Sequence, residues 1–411
     1  MTAERRQYAL VTAAYWMFTL TDGALRMLVL LHFHALGYSA LAVASLFLFY
    51  ELFGVVTNLV GGWLGARVGL NRTLYGGLGL QVLALGMMIV PAGWLAVPYV
   101  MTAQAFSGIA KDLTKMSSKS TIKLIVAEDA NSTLFKWVAI LTGSKNALKG
   151  VGFFLGSVLL TTVGFRGSFG IMAGAIALVL VAAMLLLTTD LGKTKAKPKW
   201  TQMFAKTPAI NLLSAARCCL FGARDVWFVV GLPVFLTAQL GWDFWQVGGY
   251  LALWVIGYGM VQAIAPRILR RRGTDPDGRT AVILAGALTV LTTAIAFGLT
   301  TAFNPAGIVV GGLILFGIVF ALNSAVHSYL ILAYTDRENV AMNVGFYYMA
   351  NASGRLLGTI LSGVLYQVAG LAGCLWAAAV LSGLAAVCSI WLPHRPAPSR
   401  DGMMVPDPVD G

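Results

Sequence analysis

The chain has 411 residues, 58% of them hydrophobic and only 11% charged, with 29 basic against 16 acidic side chains. So apolar a composition excludes an ordinary soluble domain and describes a polytopic membrane protein. The basic surplus, which in a soluble chain would suggest nucleic acid, is here a matter of where each charge falls along the spans.

Apolar runs long enough to cross a bilayer fall at roughly 8–31, 40–63, 73–92, 95–117, 134–162, 167–188, 207–237, 244–266, 280–301, 306–333, 340–367 and 372–392. The expected fold is all-α, with twelve transmembrane helices in two six-helix bundles. Residues 1–190 make the N-terminal bundle, 191–206 a cytoplasmic linker, 207–393 the C-terminal bundle, and 394–411 a cytoplasmic tail expected to be disordered. The first run is too long, and with Asp22 and Arg26 too charged, to be a cleaved signal peptide. With the N-terminus inside, 20 basic residues sort to cytoplasmic segments, Arg166 alone to an external loop and eight to the spans. The positive-inside rule then places both termini in the cytoplasm.

In the first span, Asp22 and Arg26 stand four apart on one helical face. They are either a self-neutralising structural pair or a pair opened by a competing anion or proton. The second span carries Glu51, an acid with no basic residue near it in sequence and so suited to carry a proton. The fourth span holds lysines at 111, 115, 119 and 123, one every fourth residue, which form a stripe along the helix. A charge near the bilayer centre costs about 2.5–3.5 kcal/mol even on the lenient scale, so such a stripe must face water or a partner. Lys111 lies deepest, with Asp112 beside it, whereas Lys119 and Lys123 read as a solvated cytoplasmic face or topological anchors.

In the fifth span Lys145 and Lys149 share a face with Ser144, while Lys136 lies out of phase near the inner end and is expected to snorkel. The seventh span places Arg217 and Arg224 on one face, with Asp225 adjacent, and the eleventh carries Arg355. A guanidinium fork matches phosphate or carboxylate bidentately, which makes intramembrane arginines the more informative cations. The substrate-binding candidates are Arg26, Lys111, Lys145, Lys149, Arg217, Arg224 and Arg355. The proton-coupling candidates are Asp22, Glu51, Asp112 and Asp225.

Other polar groups carry less. His327 is a lone helical histidine, His32 and His34 are weak, and Cys218, Cys219, Cys374 and Cys388 lack metal-ligand spacing and read as packing residues. No cofactor, metal or nucleic acid is expected. No nucleophile with a base and no phosphate loop stands out, which disfavours an enzyme.

The halves read as diverged copies. Setting LGYS at 36–39 on LGWD at 240–243 brings Thr21 and Asp22 beside Arg224 and Asp225, with Ser39 or Asp243 placed to cap the next helix. Setting VGF at 163–165 on AGL at 369–371 superposes Lys149 on Arg355 and Gly152 on Gly358. Lys149 and Arg355 are therefore expected to grip one anion from two sides at the repeat interface.

The loop GGWLGARVGLNR resembles the loop motif of the major facilitator superfamily from Gly62 to Arg72, except that Ala66 stands where an aspartate is usual. The ionic latch that this aspartate helps form must be weaker or rebuilt. Longer runs, YWMFTLTDGALRMLVLLHFHALGYS, FLFYELFGVVTNLVGGWLGARVGLNRT, SGIAKDLTKMSSKS and ILTGSKNALKGVGFFLG, resemble the organoarsenical efflux permeases called ArsJ within that superfamily. The resemblance implies the major facilitator fold, a bacterial inner-membrane location and export of 1-arseno-3-phosphoglycerate. It also implies partnership with the glyceraldehyde-3-phosphate dehydrogenase that forms this ester. Two alternatives stay open: a transporter of ordinary organic phosphates or inorganic anions, and a non-transporting receptor that senses such an anion.

Overall fold

A computed structural model describes residues 3–38, 45–125, 131–187, 207–242, 244–269, 275–301, 304–336 and 339–393. The linker 191–206, the tail 394–411 and the two proposed caps Ser39 and Asp243 lie outside the described residues.

The described residues form eleven α-helices and a short 3-10 turn, Ala92–Trp94. They are α1 (Ala3–Ala35), α2 (Leu48–Val68), α3 (Leu70–Met87), α4 (Val97–Ile125) and α5 (Asn131–Leu186), then α6 (Pro208–Phe228), α7 (Gly231–Ala238), α8 (Phe244–Leu269), α9 (Gly278–Thr301), α10 (Pro305–Ala333) and α11 (Val340–Ile390). The long helices α5 and α11 each break once, at Gly164 (φ 71°) and Gly370 (φ 61°). That left-handed conformation suits glycine, and it turns one continuous run into two spans. The second arm of α5 packs on α3, where Tyr75 near the beginning of α3 reaches the carbonyl of Ala183 at 3.3 Å. With α6 and α7 counted as one span, all twelve expected spans are present.

Local chemistry sets several helix starts. Thr207 accepts a hydrogen bond from the Ile210 amide ahead of Pro208, and Asn304 accepts one from the Gly307 amide at 2.9 Å ahead of Pro305. Both pair a side-chain cap with a proline whose missing N–H costs nothing in the first turn. The outward faces carry exposed aliphatic residues such as Leu178, Leu185, Val290 and Val368, as a lipid solvent demands.

One buried cluster draws only on residues between Val11 and Leu187, another only on residues between Leu220 and Ala385. A third joins the halves, packing Tyr15, Phe135 and Leu141 with Tyr329, Tyr347 and Leu392. The halves meet on the side of the bundle where α1 and α5 begin and α2, α8 and α10 end. There Gly62 of α2 lies against Ala341 and Gly345 of α11, and Gly143 of α5 against Gly259 and Ala263 of α8. Only small residues allow backbones this close. Asn146 donates to Gln262 across the same seam at 2.5 Å.

The latch position is apolar at this seam. Ala66, where the superfamily motif has aspartate, is buried in an apolar cluster with Leu70, Ala341 and Met342. The charge that joins α2 to α11 sits higher, at Glu51.

Candidate functional site

Charged side chains from six helices converge between the halves in two tiers. The upper tier centres on Glu51, which has no basic neighbour in sequence and three in space, Arg355, Lys111 and Arg26, two of which it binds directly. Its Oε1 accepts from Arg26 Nη2 at 2.9 Å and from Arg355 Nη2 at 2.6 Å. Arg355 uses its Nε to reach Asp225 Oδ2 at 3.1 Å, and Asp225 also pairs with Arg224. One guanidinium thus bridges carboxylates from both halves, a role that the planar fork of arginine serves and a lysine does not.

On the other side of this tier, Asp22 accepts from the Tyr50 hydroxyl at 2.6 Å and faces Lys149 Nζ at 3.9 Å. Asp22 makes no direct ion pair with Arg26, the partner that sequence spacing suggested, although each still feels the other's charge; Arg26 bonds instead to Glu51. The Tyr50 ring lies between Arg26, 4.2 Å from its centroid, and Lys111, at 3.8 Å. Such cation–π contacts stabilise a cation in a desolvated setting. Asp112, 1% exposed, is shared by Lys115 at 2.5 Å and Lys111 at 3.8 Å.

The residues that the sequence alignment superposes make matching contacts. Lys149 of α5 pairs with Asp22 of α1, and Arg355 of α11 with Asp225 of α6. Glycines make both crossings close: Gly152 lies against Leu20, Gly23 and Ala24, and Gly358 against Gly222 and Asp225. The two superposed cations each hold the acid of their own half's first helix.

The lower tier lies toward the closed end. Lys119, eight residues beyond Lys111, is about 12 Å deeper along α4, and Arg217 is about 10 Å deeper than Arg224 along α6. Lys119 is only 4% exposed and donates to Thr142 Oγ1 at 2.6 Å. The solvated-face reading of Lys119 is thus corrected: packing of α4 against α5 and α11 takes it out of water. The side chain of Lys123 lies outside the described residues. Arg217, 3% exposed, donates to Asn351 Oδ1 at 2.9 Å and to Ser324 Oγ at 3.0 Å, with its guanidinium 3.9 Å from the Phe221 ring centroid. Among the described residues, Lys145 makes no hydrogen bond or ion pair. Lys136 is exposed, as its phase on α5 required.

Sequence reasoning passed over Tyr50, Tyr348 and Asn351. Their signal was present in FYEL and YYMANASGR, polar and tyrosine-rich strings inside otherwise apolar spans. Tyr348 stands 4.5 Å from Lys115 and 5.4 Å from Lys119 by ring centroid, so it faces both tiers of lysine. His32 stacks on Phe165 at 4.0 Å, a packing contact away from the charges.

Among the described residues, nine interior cations, Arg26, Lys111, Lys115, Lys119, Lys145, Lys149, Arg217, Arg224 and Arg355, stand with four acids. Two six-helix halves of a membrane protein, sealed together at one end and holding a strongly positive interior, define a transporter by class. The chain belongs to the major facilitator superfamily, whose family model matches residues 11–322 and 275–402. No curated protein matches it by sequence.

Solved structures share the fold at low identity. The human organic anion transporter MFSD10 (TETRAN) is 15% identical over 96% of this chain and 100% of its own, with a TM-score of 0.72. A bacterial homologue of the iron transporter ferroportin, in an outward-facing state, is 14% identical over 94% and 98%, with a TM-score of 0.73. The proton:xylose symporter XylE bound to 6-bromo-6-deoxy-D-glucose is 13% identical over 95% and 96%, also at 0.73.

Proposed function

We propose that this transporter exports a small organic anion by alternating access, and that 1-arseno-3-phosphoglycerate is its substrate. The observation that carries the anion is the interior of nine cations and four acids, which demands negative charge from whatever enters. The ArsJ-like runs of the first five spans support the arsenical, supplied by a glyceraldehyde-3-phosphate dehydrogenase. The arsenic in this ester is pentavalent, so thiols have no part in holding it.

The two bundles, 1–190 and 207–393, rock about the upper tier. With the basic residues of the loops in the cytoplasm of a bacterial cell, the sealed end is the inner one and the structure is outward-facing. Taking Lys115 and Lys119 out of the cytoplasmic tally leaves 18 basic residues against one. Each of the four acids faces a cation in this state, so an anion that takes those cations frees a carboxylate to accept a proton, which couples export to proton entry. Charges spread along the path in two tiers suit passage better than capture by a receptor.

The test is arsenate tolerance and arsenic retention in arsenate-sensitive cells, with and without a co-expressed glyceraldehyde-3-phosphate dehydrogenase. Tolerance that needs both proteins supports the ester. No change under any pairing, with the protein in the membrane, defeats it. Charge and shape serve phosphate as well as arsenate, which favours one second reading, an exporter or exchanger of ordinary organic phosphates or inorganic anions. Competition by 3-phosphoglycerate separates the two.

A further inference from the structure

Six of the nine interior cations have an acid within ion-pair distance: Lys149 on Asp22, Arg26 and Arg355 on Glu51, Lys111 and Lys115 on Asp112, and Arg224 on Asp225. Among the described residues, Lys119, Lys145 and Arg217 have none. They also lie together. The charged neighbours of Lys119 are Arg217 and Lys115, and those of Lys145 are Lys119 and Lys115 first and then, toward the upper tier, Arg355 and Lys111. Neutral groups hold what is held: Thr142 for Lys119, and Asn351 and Ser324 for Arg217, with Tyr258 donating to the same Ser324 hydroxyl at 3.0 Å.

A second anomaly adjoins the first. On α10, Asn323 and His327 are one turn apart, fully buried, and flank the serine that receives Arg217. All four of their side-chain polar atoms lack a hydrogen-bond partner among the described residues. Buried amide and imidazole groups are nearly always satisfied, so polar atoms left open beside unbalanced cations are free to meet a molecule that is not part of the chain.

We infer that Lys119, Lys145 and Arg217 form a separate, acid-free subsite that takes one tetrahedral oxyanion group of the substrate, while a second anionic group displaces Glu51 from Arg26 and Arg355. This rests on the anion-transport reading and narrows it to molecules with an anionic group at each end. The depth between tiers, about 10–12 Å along α4 and α6, is the reason one group cannot serve both. A carboxylate in the upper tier already occupies the arginines, as Glu51 Oε1 does, whereas the lower tier has no internal competitor and binds first.

The experiment measures binding of radiolabelled inorganic phosphate to the full chain in lipid nanodiscs, with 3-phosphoglycerate as the two-ended probe. Lys119→Gln and Lys145→Gln should each weaken phosphate binding by about tenfold or more, the loss of one charge-assisted contact, whereas Lys119→Arg keeps most of it. Lys136→Gln, on the exposed face of α5, leaves it unchanged. Arg26→Gln should weaken 3-phosphoglycerate far more than inorganic phosphate. If folded, monodisperse Lys119→Gln and Lys145→Gln proteins bind phosphate within about twofold of the parent, the subsite is overturned and the transporter reading stands. If the parent binds neither phosphate, arsenate nor 3-phosphoglycerate, both fall.

Discussion

The two tiers of charge are built from the same residue types in the same bundle, yet they sit in opposite electrostatic states. The upper tier is paired throughout: Glu51, Asp225, Asp22 and Asp112 hold Arg26, Arg355, Arg224, Lys149, Lys111 and Lys115, and Glu51–Arg355 ties one half to the other. The lower tier holds Lys119, Lys145 and Arg217 on hydroxyls, an amide and aromatic faces. Removing one member of a paired network strands its partner and destabilises the fold, while removing one member of an unpaired set relieves repulsion and loses affinity toward an anion. Substitutions in the two tiers should therefore move stability in opposite directions while both reduce transport.

The largest effect is expected at Arg355. Arg355→Ala leaves Glu51 and Asp225 short of a shared cation and should cost about 3–5 kcal/mol, with transport abolished. Arg355→Lys should recover little, because one ammonium cannot reproduce the Nη2 and Nε contacts to two carboxylates. Thermal unfolding and vesicle uptake of the purified protein check both, and an Arg355→Ala protein as stable as the parent would remove the upper tier's structural role.

Lys145→Met should do the reverse. It relieves repulsion among unpaired lysines and fills the site with an apolar side chain, so stability should rise by about 1–3 kcal/mol while anion uptake falls. A loss of stability there would mean that Lys145 has an acidic partner.

Glu51→Gln keeps the shape of the bridge and removes its charge. Its expected cost is about 1–2 kcal/mol, read mainly as a shift of population away from the state sealed at the α2–α11 seam. Cysteine labelling near Asn58 and Gly345, buried or closely packed at that seam, should become faster; unchanged labelling would dissociate Glu51 from closure. The smallest effect belongs to Lys136→Gln, exposed on α5, with less than about 0.5 kcal/mol on melting and no change in uptake.

Much of the fold was legible in one dimension. Twelve apolar runs became twelve spans because a helix is the means by which a single segment satisfies its backbone in lipid, and the length of a span is set by the bilayer. The offset that superposed Lys149 on Arg355 and Gly152 on Gly358 survives in space because each glycine lets its helix approach the first helix of its own half. Loop basicity, the missing aspartate at Ala66 and the surplus of interior cations were equally plain in the string.

Partnership was not legible. Asp22 and Arg26 share a helical face, yet each turns to another helix, since local spacing states which groups are able to meet and packing decides which do. Glu51 looked solitary because its cations lie 25 and 304 residues away in the chain. Lys119 looked solvated because it stands near the end of a hydrophobic run, and only Thr142 of α5 and the Tyr348 ring of α11, brought to it by the fold, help remove it from water. The sequence by itself determined how many helices cross the membrane and which charges they carry inside. The tertiary structure alone decided which of those charges are neutralised, because burial and ion pairing depend on distances between helices, and hydropathy records none of them.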